Sequence, residues 1–249
     1  MISMKDIYQQ GQIYSKNESE TIYLTPDEPD VFDANKWVYH QMPSLTKWKH
    51  DLEYQLTLHL SQHSNHLAFT FPENESLNHD WIDTIKGHGF EIGLMELYAI
   101  KANHLKLKHN SNVHIEYVTS NNLDDYIDVF RQFSLPFGET FTENNVTRIY
   151  TDFDKDAKSR IVAYKDGTPV GILDMISSHQ FIEIDGFGVL EPYQRQGIGS
   201  AMQSFVAQVD RNKTIILIAD GQDSARNMYI KQGYRFVSRC YQIVNEEMV

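Results

Sequence analysis

From residue 113 onward the apolar positions change period in a regular succession, and the succession predicts alternating strands and helices. Val113 to Val118 alternates as a strand does, after which Leu123, Tyr126, Ile127, Phe130 and Phe133 recur at helical spacing. A second helix is expected over Glu143 to Phe153. The runs Arg160 to Tyr164 and Pro169 to Ile176 flank Lys165-Asp166-Gly167-Thr168, and Asp-Gly between two alternating runs signals a hairpin. Next come a strand from Phe181 to Leu190, a helix from Gly197 to Val209 and a buried strand from Thr214 to Ala219. The chain closes with a helix from Ser224 to Gln232 and one or two strands from Arg235 to Val244. Hairpins followed by strand-helix-strand units predict an α+β fold, a mixed and mostly antiparallel sheet flanked by helices.

The upstream half is less regular. Leu67 to Phe71 reads as a strand, Leu77 to Lys86 as a helix, Gly87-His88-Gly89 as a turn and Phe90 to Ile100 as a strand. Lys47 to His59, with Leu52, Leu56 and Leu58 among charges, predicts an amphipathic surface helix. The basic, polar stretch Lys101 to Asn112 interrupts the pattern as a linker or crossing strand, which places domains at 1–110 and 111–249. Ile85-Lys86-Gly87-His88-Gly89-Phe90-Glu91 echoes Ile230-Lys231-Gln232-Gly233-Tyr234-Arg235. That echo predicts an internal repeat of one terminal half-fold.

Composition narrows the function classes. The 249 residues are 41% hydrophobic and 22% charged, which is globular rather than disordered. A net charge of -12 argues against nucleic acid as a partner, because that binding depends on Lys and Arg neutralising phosphates. The first residues lack a basic region followed by an apolar run, and no apolar stretch has spanning length, so neither secretion nor a membrane is expected. The single cysteine, Cys240, precludes an internal disulfide and fits a cytoplasmic protein, with Cys240 as a core filler in a strand. His59, His63 and His66 have spacings that would suit a metal site, but without a matched Cys or carboxylate they are read as a polar helix face, and no metal is expected.

Two blocks carry chemistry. In the first, Gln194-Arg195-Gln196-Gly197-Ile198-Gly199-Ser200 lies between a predicted strand and the helix it leads into. The glycines let the backbone turn sharply and approach a ligand, and the free amides and dipole of a helix start attract a pyrophosphate. A third glycine is missing, with Met202 in its place, so this is not a dinucleotide fingerprint; it also lacks the Gly-Lys-Ser/Thr of a P-loop. The second block, Ala225 to Tyr234, is a helix closed by Gly233 in which Tyr229 stands one turn after Ala225. Alone, Tyr229 reads as a core residue.

Taken together, Val189-x4-Gln194-x2-Gly197-x-Gly199 and Ala225-x3-Tyr229-x3-Gly233-Tyr234 resemble the GNAT N-acetyltransferase superfamily over roughly residues 113 to 245. The resemblance implies the GNAT fold, with the N-terminal repeat as a degenerate GNAT-like unit. That unit lacks any glycine between Gly11 and Gly87, so a structural or acceptor-shaping role is expected of it. The implied activity is transfer of an acetyl group from acetyl-CoA, used as co-substrate, to a primary amine on a small molecule or peptide. A catalytically silent acyl-CoA-binding or scaffold module is the alternative.

By the same resemblance Gln194, Arg195, Gln196, Gly197, Ile198, Gly199 and Ser200 hold the pyrophosphate. Phe187, Gly188 and Val189 hold the pantetheine arm, and Tyr229 protonates the departing thiolate. Gln222 replaces the family's common asparagine at a further pantetheine contact. Glu183, ranked slightly above Asp185, is the expected general base, since an ammonium with a pKa near ~10.4 must lose a proton to attack. Phe133, Phe137 and Phe141, around the loop Ser134 to Thr140, are candidates to line the acceptor pocket, although aromatic clusters more often belong to a core.

Overall fold

The computed structural model describes residues 1–221 and 225–246. Its elements in chain order are β1 (Ile13–Lys16), β2 (Glu20–Tyr23), β3 (Trp37–Tyr39), α1 (Leu45–Ser61), β4 (Leu67–Thr70), α2 (His79–Gly87) and β5 (Glu91–Lys101). There follow β6 (Val113–Tyr117), α3 (Leu123–Ser134), α4 (Glu139–Asp152), β7 (Lys158–Lys165), β8 (Thr168–Ser177) and β9 (Phe181–Val189). The last are α5 (Ile198–Val209), β10 (Thr214–Asp220), α6 (Ala225–Gln232) and β11 (Arg235–Asn245). No described helix is long and apolar enough to cross a membrane.

The first of two units comprises Met1–Leu97 with the described residues of 219–226 and 236–249; the second comprises Tyr98–Ile218 and Asn227–Arg235. In the first unit the strand order is β1-β2-β3-β4-β11. β11 pairs antiparallel with β4, from Gln242 opposite Thr70 to Asn245 opposite Leu67. Its core gathers Trp37, Trp48, Phe69, Phe71, Trp81 and Phe90, all buried. The strands β1 to β3 have no counterpart in the sequence reading, because runs of three or four residues are too short to show a period.

Helix α1 departs from the amphipathic surface helix expected. Its fully buried stripe is Trp48, Asp51, Gln55 and His59, while Leu52 and Leu56 are only partly buried. Polar side chains can face the core here because each has a partner. Tyr39 Oη donates to Asp51 at 2.7 Å, and Gln55 both donates to the Ala68 carbonyl and accepts from its amide. His59 meets the His66 carbonyl at 2.5 Å. The polar-face reading of the histidines is therefore overturned for two of them. His59 and His66 are each 1% exposed, with rings 5.0 Å apart, whereas His63 is exposed beyond the helix end at φ 63°.

The two echoing segments end their helices with the same hydrogen-bond pattern, in a register moved by one residue from the match of their sequences. Gly89 N–H bonds to Lys86 O and Phe90 N–H to Ile85 O; Gly233 N–H bonds to Ile230 O and Tyr234 N–H to Tyr229 O. Both are helix ends closed by a left-handed glycine, at φ 78° for Gly89 and 100° for Gly233. Relative to the closing glycine, Ile85 thus stands where Tyr229 does, and it carries no phenol.

In the second unit the order is β10-β9-β8-β7-β6. The β7–β8 hairpin closes through Asp166 and Gly167, at φ 51° and 80°, the left-handed pair that a tight two-residue turn requires. Helices α3 and α4 contribute Tyr126, Ile127, Val146 and Ile149 to a core that includes Val162 and Ile172 from the sheet. α4 begins four residues earlier than expected, capped by Gly138; β11, which from Phe236 lies in the first unit, is a single strand. Cys240 is buried in it, and burial pushes its thiol up to about 11, so it is a filler and not a nucleophile.

Candidate active site

The site forms where β9 parts from β10. The two run parallel from Thr214 opposite Phe181 to Leu217 opposite Ile184, and there the pairing ends although β9 continues to Val189. On its other edge β9 stays paired with β8, but Gly186 and Phe187 together oppose the single residue Leu173. This is a bulge, with Gly186 at φ 52°, and bulges bend and twist the strand that carries them. Beyond it, among the described residues, the backbone edge of Phe187, Gly188 and Val189 that would have met β10 has no strand paired to it.

β9 then enters a short turn. Glu191–Tyr193 forms one 3-10 turn, Arg195 is left-handed at φ 59°, and Gly197 caps α5 at φ 81°. Gln194 Nε2 braces the turn by donating to Val189 O at 3.0 Å. Gln196 is held from two sides, by Asn110 Nδ2 donating to its carbonyl at 3.0 Å and by Lys165 Nζ on its side-chain oxygen. Gln194, Arg195, Gln196 and Gly197 are exposed, and a Cβ at Gly197 would meet nothing closer than 3.8 Å. Among the described residues the amides of Ile198, Gly199 and Ser200 have no acceptor in the protein, the first intrahelical partner falling to Ala201. Such a helix start fits a pyrophosphate, each contact contributing on the order of 0.3–1 kcal/mol.

Three elements meet at Gly199. A Cβ there would lie 3.1 Å from the Phe187 ring, 3.8 Å from Val189 and 3.9 Å from Met228 Sδ on α6. Gln232 Nε2, also on α6, donates to Ser200 Oγ at 2.9 Å. The fold thus draws together the end of β9, the start of α5 and the helix that carries Tyr229. Tyr229 is buried at 7% exposure, with its ring 6.1 Å from Tyr98 and 5.7 Å from Tyr234. Gln222 lies outside the described residues.

The two candidate bases differ in setting. Glu183 is buried in the paired part of β9, opposite Ile176 and Ile216. Asp185 is 47% exposed and bound to Lys158 Nζ at 3.0 Å. Sequence reasoning missed the group next to it: Asp174, buried, accepts from Tyr126 Oη at 2.7 Å and pairs with Lys158 at 3.1 Å. Its trace in the sequence is an acid inside the apolar run Val170 to Ile176. Of the three phenylalanines, Phe133 packs on Gly188, while Phe137 is 73% exposed with its ring 5.9 Å from Phe141.

Residues 126–234, which include the parted strands and the glycine-capped helix, match the model of the acetyltransferase (GNAT) family. The match covers that segment of the chain, 109 of its 249 residues. Residues 2–98 match a domain of unknown function, DUF5613. Among solved structures, a functionally unknown conserved protein from Staphylococcus epidermidis is 42% identical, over 99% of this chain and 98% of that one, with a TM-score of 0.95. A GCN5-related N-acetyltransferase from Kribbella flavida shares 16% identity over 96% and 91%, with a TM-score of 0.65. A tandem GNAT protein from the clavulanic acid biosynthesis pathway shares 8% over 84% and 74%, at 0.51. The last two share the fold. No curated protein matches the sequence.

Proposed function

We propose that this protein is an N-acetyltransferase that takes acetyl-CoA as donor and a primary amine, on a small molecule or peptide, as acceptor. The observation that carries the reading is that β9 leaves the register of β10 after Ile184 and runs on into a helix start whose first amides have no acceptor among the described residues. Gln194 to Ser200 then hold the diphosphate, and the free edge of Phe187, Gly188 and Val189 takes the amide-bearing arm of the donor as a strand would. The catalytic role falls to 111–249, and 1–110 serves as a degenerate GNAT-like unit; Ile85 at the place of Tyr229 supports that assignment. Reducing cytoplasm is its proposed location.

The residues divide the proton work. Glu183 receives the proton of the attacking ammonium, directly or through water, so that the neutral nitrogen can reach the thioester carbonyl. Val189 N–H steadies the oxygen on which charge develops. Tyr229 gives its proton to the sulfur as the carbon–sulfur bond breaks; a phenol near ~10 and a thiol near ~8.5 are close enough for this.

The test is release of free thiol from acetyl-CoA across an amine library, with coenzyme A binding measured separately by calorimetry. Thiol release with at least one amine is expected. Tyr229→Phe should lower turnover by about 10²-fold, the range for a positioned acid, with coenzyme A affinity nearly unchanged. Binding without release on any amine would favour the silent module, and absence of binding would remove the cofactor site.

A further inference from the structure

Asp174 and Asp185 face one another across β8 and β9 as direct register partners, so both side chains stand on the same face of the sheet. Like charges so placed repel, and Asp174 is buried, where an uncompensated carboxylate is costly. Lys158, at the start of β7, resolves the conflict: its Nζ is 3.1 Å from Asp174 and 3.0 Å from Asp185. Burial by itself would lower the Lys158 pKa, yet the two carboxylates hold it well above the ordinary lysine value. Tyr126 completes the group from α3 by donating to the other oxygen of Asp174.

The location of this clamp gives it meaning. The residue after Asp185 is Gly186, where β9 bulges, and a Cβ built on Gly186 would sit 3.6 Å from Asp174 Oδ2. The ammonium therefore ties β9 to its neighbours at the last residue before the strand bends away toward Phe187, Gly188 and Val189. We propose that Lys158 is a positioning residue for donor binding: by bridging Asp174 and Asp185 it fixes the point of the bulge, and so the aim of the backbone edge that receives the acyl donor. This rests on the donor site described under the proposed function.

The charge balance supplies the test. One ammonium and two carboxylates leave the group at minus one. Lys158→Met makes it minus two, and Lys158→Met with Asp174→Asn restores the original value, with Asn still able to accept from Tyr126. The other charged or titratable groups nearby are Arg160, whose guanidinium lies 5.8 Å over the Tyr126 ring and is held by Asp156, and Glu183, two residues before Asp185 on β9. None of them is altered in these variants.

Coenzyme A affinity is measured by calorimetry from pH 5.5 to 8.5 on the full chain, with each variant expressed relative to wild type at the same pH. Lys158→Met should bind about tenfold more weakly at pH 8.5, a middle value for partners in one network. The deficit should shrink toward pH 5.5, where two facing carboxylates come to share a proton. Lys158→Arg should follow the wild type. The double variant should bind within about threefold of it at pH 8.5, and it carries the test if the single variant does not fold. A deficit of the same size at every pH, or a double variant as weak as tenfold below wild type, overturns the proposal. Absence of coenzyme A binding by the wild type would instead overturn the donor site itself, and this inference with it.

Discussion

Acid should weaken this protein through a pair of histidines far in sequence from the proposed site. His59 stands in the last turn of α1 and His66 leads into β4. His59 Nδ1 lies 2.5 Å from His66 O, and His66 Nε2 lies 3.2 Å from Asn35 O. A carbonyl needs an N–H, so in the neutral rings the hydrogen sits on Nδ1 of His59 and on Nε2 of His66. Phe32 covers His66 with ring centres 4.5 Å apart. Burial first, and then the neighbouring His59, push the His66 imidazole from 6.5 down to about 4, and burial lowers His59 as well. The folded pKa is thus below the unfolded one, and between the two values the unfolded chain binds more protons. Stability from His66 is complete above about pH 6.5 and is lost as pH falls toward 4. A difference of about 2.5 units corresponds to about 3 kcal/mol in full, and to about 2 kcal/mol at pH 5. For a chain of this size that is a drop in Tm of roughly 4–8 °C between pH 7.5 and pH 5. Other groups titrate over the same range, so the informative quantity is a difference. Thermal melts of wild type and His66→Gln are compared at pH 4.5 to 7.5, Gln keeping a donor for Asn35 O without a titrating ring. The wild type should lose stability faster on acidification, so that the two curves converge at low pH. Parallel curves would refute the reasoning, because they would mean that the buried imidazole takes up its proton at no cost to the fold.

Two further outcomes bear on the site. Gly188→Ala places a Cβ 2.6 Å from Phe133 Cζ, so it should destabilise the fold by about 1–3 kcal/mol in urea unfolding, and Phe133→Leu in the same chain should recover most of the loss. Gly197→Val meets no clash at its Cβ, whose nearest neighbour is Asn110 Nδ2 at 3.8 Å, but forces a β-branched residue to φ 81°; a strain of about 1–2 kcal/mol should displace the helix start and weaken coenzyme A binding by calorimetry at least tenfold, and unchanged affinity would sink the phosphate-turn assignment.

Much of this protein is written locally. The hairpin through Asp166-Gly167, the glycine turn at Gly197 and the helix stop at Gly233 depend on backbone conformations that few residues adopt, so they are visible from identity alone. The elements from 113 onward were legible because long alternating or helical runs set a period. The family resemblance followed from those same glycines and their spacing.

What a linear pattern cannot contain is partnership between distant residues. Asp51, Gln55 and His59 look like a solvated helix face until Tyr39, Ala68 and His66 arrive to bond them. Asp174 looks like an error in an apolar strand until Tyr126 and Lys158 reach it. The bulge that turns β9 away from β10 depends on the pairing of three strands, and the one-residue register that puts Ile85 at the place of Tyr229 is fixed by backbone hydrogen bonds, which side-chain identity alone does not specify. Sequence determined which segments form and where glycine must stand; tertiary structure decided which charges are buried, because burial is affordable only once a partner from elsewhere in the chain is in place.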